Sequence, residues 1–255
     1  MARIKYLLPD ILTGINICIG FICIILVMHA SRIPGAFHFN YIYSAWLIII
    51  AGLLDILDGS LARWFGKTGS FGVEFDSIAD FTVFAVAPSI LLYTFFYERQ
   101  SIFYLIVPLF YLVSAAYRLA RFNADALEAS RKKIVGLGTP ISAAIVVAVV
   151  LLVANLYQQG IIQEISANLR FAITILILFN VSLMILPVEF ITAYEYCFRD
   201  TRRVILLIIA IVAPLLLLRF KLPSLSILIV GIIYIAESLG RRLVRRPAQR
   251  KKSKS

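Results

Sequence analysis

Charge is scarce in this sequence: Asp, Glu, Lys and Arg make up 15% of its 255 residues, and long stretches carry none. With 61% hydrophobic residues and a mean hydropathy of +0.93, that scarcity excludes both a disordered polyelectrolyte and an ordinary soluble domain. Cysteine is rarer still, with three residues. Cys18, Cys23 and Cys197 have no metal-site or redox spacing, so small packed hydrophobes are the expected role. The two histidines, His29 and His38, flank a short loop with no acidic cluster beside them, which argues against a histidine-based metal site. The alternating pattern of a transmembrane barrel is missing. The net charge of +11 is no nucleic-acid footprint, because its Lys and Arg gather between apolar runs and in the tail.

What the chain does have is a succession of apolar runs long enough to cross a bilayer. The expected fold is all-α, a polytopic helical integral membrane protein with about eight spans, near 11–30, 41–62, 75–97, 101–118, 139–158, 169–189, 203–219 and 223–239. Asn16 in the first run, and the spans that follow it directly, argue against a cleaved signal peptide. With the N-terminus in the cytoplasm, only Arg32, Arg99, Arg170, Arg219 and Lys221 of the 25 basic residues fall outside. That bias puts both termini inside; the membrane expected is the cytoplasmic (inner) one. Ahead of span one, Arg3 and Lys5 among apolar residues up to Leu12, interrupted by Pro9, suggest a short interfacial helix. The domain division expected is 1–189 as the functional unit, 190–240 as two extra spans, and 241–255 as a basic, disordered tail held near anionic lipid.

Four aspartates break the apolar pattern, in the order D-x2-D-G-x2-A-R-x8-G-x3-D-x3-D from Asp55 to Asp80. Asp55 and Asp58 are three apart and Asp76 and Asp80 four apart, so each pair shares a helix face. Two such faces packed together bring four carboxylates around one small volume at the cytoplasmic ends of spans two and three. Each charge costs roughly 2.5–3.5 kcal/mol in a bilayer, and Arg63 and Lys67 cannot neutralise four. An all-oxygen anionic cluster suits a hard divalent cation, Mg²⁺ or Mn²⁺ with Ca²⁺ a further candidate, and has room for two ions sharing ligands. Asp80, the last of the four, is the candidate general base.

Around the aspartates lie groups suited to a phosphate. Gly59 and Ala62 would let helices pack closely, but beside four carboxylates the favoured reading is that they let a phosphate or nucleotide approach the helix backbone. Arg63 can fork to a phosphate, and Gly72 is expected just before a helix, where bare amides favour an anion. Thr13 and Asn16 share a face of span one and fit either interhelical bonding or a wall of the site. Arg118 and Arg121, three apart and followed by Asn123, make a receptor for a carboxylate or phosphate, or else positive-inside anchors. Thr139-Pro140 reads as a helix start with Thr139 as the cap. Glu189, Glu195 and Glu237 are expected to pair with nearby arginines.

The aspartate pattern, matched at every fixed position, resembles the motif of the CDP-alcohol phosphotransferase family. The resemblance implies a six-helix catalytic unit. Asp55, Asp58 and Asp76 would be metal ligands, Asp80 a ligand or the base, and Gly59, Ala62, Arg63 and Gly72 contacts to the CDP moiety. Three further segments, Leu7–Asn16, Arg118–Asn123 and Gly136–Pro140, resemble the prokaryotic membrane-embedded phosphatidylserine synthases within that family. Asp10 and Gly138 stand where that pattern has Asn and Pro. The reaction implied is CDP-diacylglycerol plus L-serine giving phosphatidylserine and CMP, with serine held by Arg118, Arg121 and Asn123 and the CDP-lipid also by Thr13 and Asn16. A glycerol 3-phosphate or inositol phosphate acceptor, or an archaeal ether-lipid donor, is the alternative. The family also suggests a homodimer. A cation transporter would need polar groups spread across membrane depth, and here they gather at one face.

Overall fold

A computed structural model describes residues 2–32, 39–64, 70–127, 136–186 and 231, the backbone alone being described at 2–9, 60–64, 70 and 125–127. The expected spans seven and eight, Cys197, His38 and the three glutamates Glu189, Glu195 and Glu237 lie outside these residues, apart from a helical Gly231.

The described residues are helical and contain no strand, as a bilayer demands of a chain that must satisfy its backbone internally. Helix α1 is Ala2–Ser31, α2 is Phe39–Trp64 and α3 is Ser70–Asp80. The third helix continues through a π-helical turn, Phe81–Val86, into α4, Ala87–Leu92, and ends in a second π turn, Tyr93–Tyr97. A 3₁₀ turn, Ile102–Leu105, leads into α5, Ile106–Leu127, followed by α6, Thr139–Gln158, and α7, Ala167–Ile185. Among the described residues, six stretches are long and apolar enough to cross a membrane: Asp10–Ser31, Phe39–Gly59, Phe71–Tyr97, Ile102–Ala124, Thr139–Gln158 and Ala167–Ile185. They coincide with the first six expected spans. The chain is an all-helical, polytopic membrane protein.

Two differences from expectation are local. The N-terminal segment is continuous with span one, because α1 runs unbroken through Pro9. Proline forfeits one helical hydrogen bond, whereas a break in apolar surroundings would expose several backbone groups. Gly72 lies inside the first turn of α3 rather than before it, where backbone amides still lack helical partners.

Burial ranks the helices. Of the α6 span 67% is buried, and of Phe71–Tyr97 56%, against 28–39% for the others, so these two form the centre. In α6 the run Ile145–Leu151 is buried on all sides, as an all-apolar helix must be. The outer helices turn Phe21, Ile25, Ile50, Leu109, Phe171 and Phe179 outward, a surface matched to lipid tails. Cys23 is buried and exchanges bonds with Ser44 across α1 and α2: the Ser44 hydroxyl donates to the Cys23 carbonyl at 3.0 Å, and the thiol donates weakly to the Ser44 carbonyl at 3.6 Å. Cys18 faces outward.

The π turn after Asp80 has an identifiable cause. Pro88 lacks the N–H that an α-helix would pair with the Phe84 carbonyl. The fully buried Tyr111 hydroxyl donates to that carbonyl instead, at 2.9 Å. Helix α1 fits tightly against the same turn, since a Cβ at Gly20 would sit 3.0 Å from the side chains of Thr82 and Val83. At the far end of the bundle Arg170 donates to the Phe96 carbonyl, Gln100 Oε1 and the Ile165 carbonyl at 3.0–3.1 Å, tying the third span to the start of α7.

Candidate active site

The C-terminal part of α2 and the second half of α3 bring their aspartates together at one end of the bundle. Carboxylate oxygens of Asp55, Asp76 and Asp80 lie within 4.8 Å of one another. Asp58 stands beside this trio, within electrostatic reach of Asp55 and Asp76, and only 3% of its surface is exposed. Its Oδ2 accepts a hydrogen bond from Thr13 Oγ1 at 3.4 Å, which brings α1 into the site. The four charges thus form three clustered carboxylates and a fourth anchored to the wall.

One turn along α1 from Thr13, Asn16 is 3% exposed, and its Oδ1 is buried without a hydrogen-bond partner among the described residues. An orphaned buried acceptor costs about 1–3 kcal/mol, so the position favours a ligand donor. Gly59 is half-buried on α2, and Gly72 lies in the first turn of α3. Ala62 and Arg63 close α2, and their side chains fall outside the description.

The last turns of α5 complete this end. Arg118 donates to Thr139 Oγ1 at 2.9 Å, its guanidinium carbon lies 5.7 Å from the centre of the Phe122 ring, and its charge acts on Asp80. Arg121 is half-buried on the same helix. Asn123 and Ser77 bond reciprocally, at 2.8 Å from the amide nitrogen to Oγ and 3.1 Å from Oγ to the amide oxygen. That pair ties α5 to α3 beside Asp76. Thr139 is not the cap of α6. Gly138, extended at φ −59° and ψ 138°, takes the cap position and its carbonyl accepts the first helical bond from Ser142. A capping glycine frees the Thr139 hydroxyl for Arg118. The sequence suggested an interhelical or site-wall role for Thr13 without naming its partner, and offered no sign of the Ser77–Asn123 or Arg118–Thr139 contacts, which join residues on separate helices.

The donor set tests the metal expectation. Three carboxylates at this separation, with a fourth alongside and the Arg118 guanidinium acting on Asp80, supply oxygen ligands and negative charge, which fits a hard divalent ion. A cavity of about 280 Å³ lies at the other end of the bundle, among Tyr41, Thr94, Glu98, Gln100, Tyr157 and Arg170, remote from this chemistry.

Fold and site together define a polytopic helical membrane protein with an acidic, cation-competent cluster and a half-buried arginine at one end. Residues 6–186 match the CDP-alcohol phosphatidyltransferase family, and the chain belongs to that family. It is 33% identical over 147 residues to a CDP-diacylglycerol–serine O-phosphatidyltransferase of Helicobacter pylori, covering 58% of each chain. It is 32% identical over 177 residues to an archaetidylserine synthase of Methanothermobacter thermautotrophicus, covering 68% of each. A Mycobacterium leprae CDP-diacylglycerol–serine O-phosphatidyltransferase is 36% identical over 119 residues, 46% of this chain and 36% of that one. The chain therefore spans little more than half the length of the Helicobacter relative.

Proposed function

We propose that this protein transfers the phosphatidyl group of CDP-diacylglycerol to the hydroxyl of L-serine, releasing CMP, at the cytoplasmic face of the membrane. The observation that carries the reading is the trio of Asp55, Asp76 and Asp80 carboxylates, set in a lipid-embedded bundle with Arg118 within electrostatic reach. Such a site lies where a substrate with a lipid part and a charged, water-soluble part would be held.

Asp55, Asp58, Asp76 and Asp80 would hold divalent metal, Mg²⁺ or Mn²⁺. A bound ion there would neutralise the diphosphate and favour displacement at phosphorus. Gly59, Ala62 and Gly72 admit the CDP moiety to the backbone, Arg63 pairs with its phosphates, and Asn16 Oδ1 accepts one of its donors, with Thr13 fixing the wall through Asp58. Arg118 and Arg121 receive the serine carboxylate. Asn123 keeps α5 in register with α3 on that side through Ser77. The serine hydroxyl oxygen bonds to the phosphorus bearing diacylglycerol, the P–O bond to CMP breaks, and the hydroxyl proton passes to Asp80. The names of the Helicobacter and Methanothermobacter relatives share the seryl product and differ in the lipid, which supports serine more firmly than diacylglycerol.

The test is CMP release by purified protein in lipid–detergent micelles. L-Serine with CDP-diacylglycerol and a divalent ion should support turnover, and glycerol 3-phosphate and inositol phosphate should not. Turnover with either phosphorylated alcohol and none with serine would overturn the acceptor assignment.

A further inference from the structure

The start of α6 is unusually constrained for a helix end. The amide of Leu137, a fully buried residue, donates to the Leu183 carbonyl at 2.9 Å, capping the C-terminal end of α7. Gly136 makes this possible. Its φ is +88°, and a Cβ there would run into the Met184 carbonyl oxygen, so only glycine lets the turn lie against α7. One turn into α6, Ser142 Oγ donates to Met184 Sδ at 3.0 Å and the Ser142 carbonyl accepts from Asn180 Nδ2 at 3.2 Å. Between these fixings sits Thr139, 1% exposed, its hydroxyl accepting from Arg118.

We propose that Thr139 is a positioning residue for the acceptor: its hydroxyl, set by a turn fastened to the end of α7, aims the Arg118 guanidinium at the substrate carboxylate beside Asp80. The inference deepens the reading of Arg118 as the serine-carboxylate receptor and rests on it. An arginine side chain carries four rotatable bonds, and a forked contact is worth most when the fork is already oriented. Phe122 lies within cation–π range of the guanidinium from the same helix, and Thr139 reaches it from another. The path from α7 through Gly136 and Thr139 to Arg118 gives the sixth span, distant in sequence from the aspartates, a part in binding the acceptor.

The experiment compares Thr139→Val, which keeps the shape and loses the hydroxyl, with Thr139→Ser, which keeps the hydroxyl, in the full chain in lipid–detergent micelles. Thr139→Val should raise the serine KM roughly 10-fold, the scale of a lost hydrogen bond to a charged group, with KM for CDP-diacylglycerol and kcat little changed. Thr139→Ser should restore the serine KM. In an Arg118→Ala background, itself raised in serine KM, adding Thr139→Val should raise it no further. Equal effects of Val and Ser, or an undiminished effect of Val without Arg118, would overturn the proposal while leaving the acceptor site in place. An unchanged serine KM in Arg118→Ala would instead remove the acceptor reading, and this inference with it. Should Thr139→Val fail to fold, Thr139→Ala against Thr139→Ser carries the same comparison.

Discussion

Asp76→Asn separates a cation site from a merely acidic surface. The three carboxylates of the trio have oxygens within 4.8 Å of one another. At that distance each pair of full charges repels by roughly 3–4 kcal/mol at an effective dielectric near 20. Asparagine keeps the shape of the side chain and removes two of the three pairs. Water entry and side-chain rotation relieve much of the strain, so about 2–4 kcal/mol should appear as added stability of the cation-free protein. For a chain of this size that is a rise of about 5–10 °C in Tm. Wild type should respond the other way round, gaining stability when Mg²⁺ or Mn²⁺ is added, while Asp76→Asn gains little. Thermal unfolding in micelles, followed by intrinsic fluorescence with EDTA or with millimolar Mn²⁺, reads both effects. If the variant melts below wild type in EDTA and its response to Mn²⁺ is undiminished, the electrostatic reasoning fails.

Asp80→Asn should reduce turnover by about 10²-fold or more, the usual scale of a lost general base, with CDP-lipid binding kept within a few-fold. Binding measured by titration and turnover by CMP release would show it, and near-normal turnover would remove Asp80 from proton transfer. Gly20→Ala places a methyl group 3.0 Å from Thr82 and Val83, so it should destabilise by about 1–3 kcal/mol and lower activity by shifting α1 from the turn that follows Asp80. A neutral effect on both melting and turnover would show that this contact has slack. Tyr111→Phe leaves the Phe84 carbonyl without its 2.9 Å partner and should cost about 1 kcal/mol, visible as a lower Tm with serine KM unchanged.

The membrane fold was legible because it rests on long apolar runs, a signal that survives without tertiary information. All six spans within the described residues fall where hydropathy placed them. The aspartate cluster was legible for a related reason: ionisable groups on a shared helix face in an apolar chain leave few stable arrangements. What sequence did not show is how side chains on separate helices choose partners. Thr139 before Pro140 satisfied the local rule for a cap, yet Gly138 serves as cap and Thr139 turns to an arginine on α5. The π turn was hidden likewise. Pro88 leaves the Phe84 carbonyl without its helical donor, and Tyr111, 23 positions later, supplies one only because α5 packs against that turn.

The central claim is that the aspartates at one end of this bundle hold a divalent cation for phosphatidyl transfer. Diffraction from crystals grown with Mn²⁺ and a CDP-lipid, collected at the manganese absorption edge, tests it most directly. The account predicts an anomalous peak ligated by Asp55, Asp76 and Asp80 and adjoining the diphosphate. Well-ordered carboxylates at that site with no anomalous signal between them would contradict it.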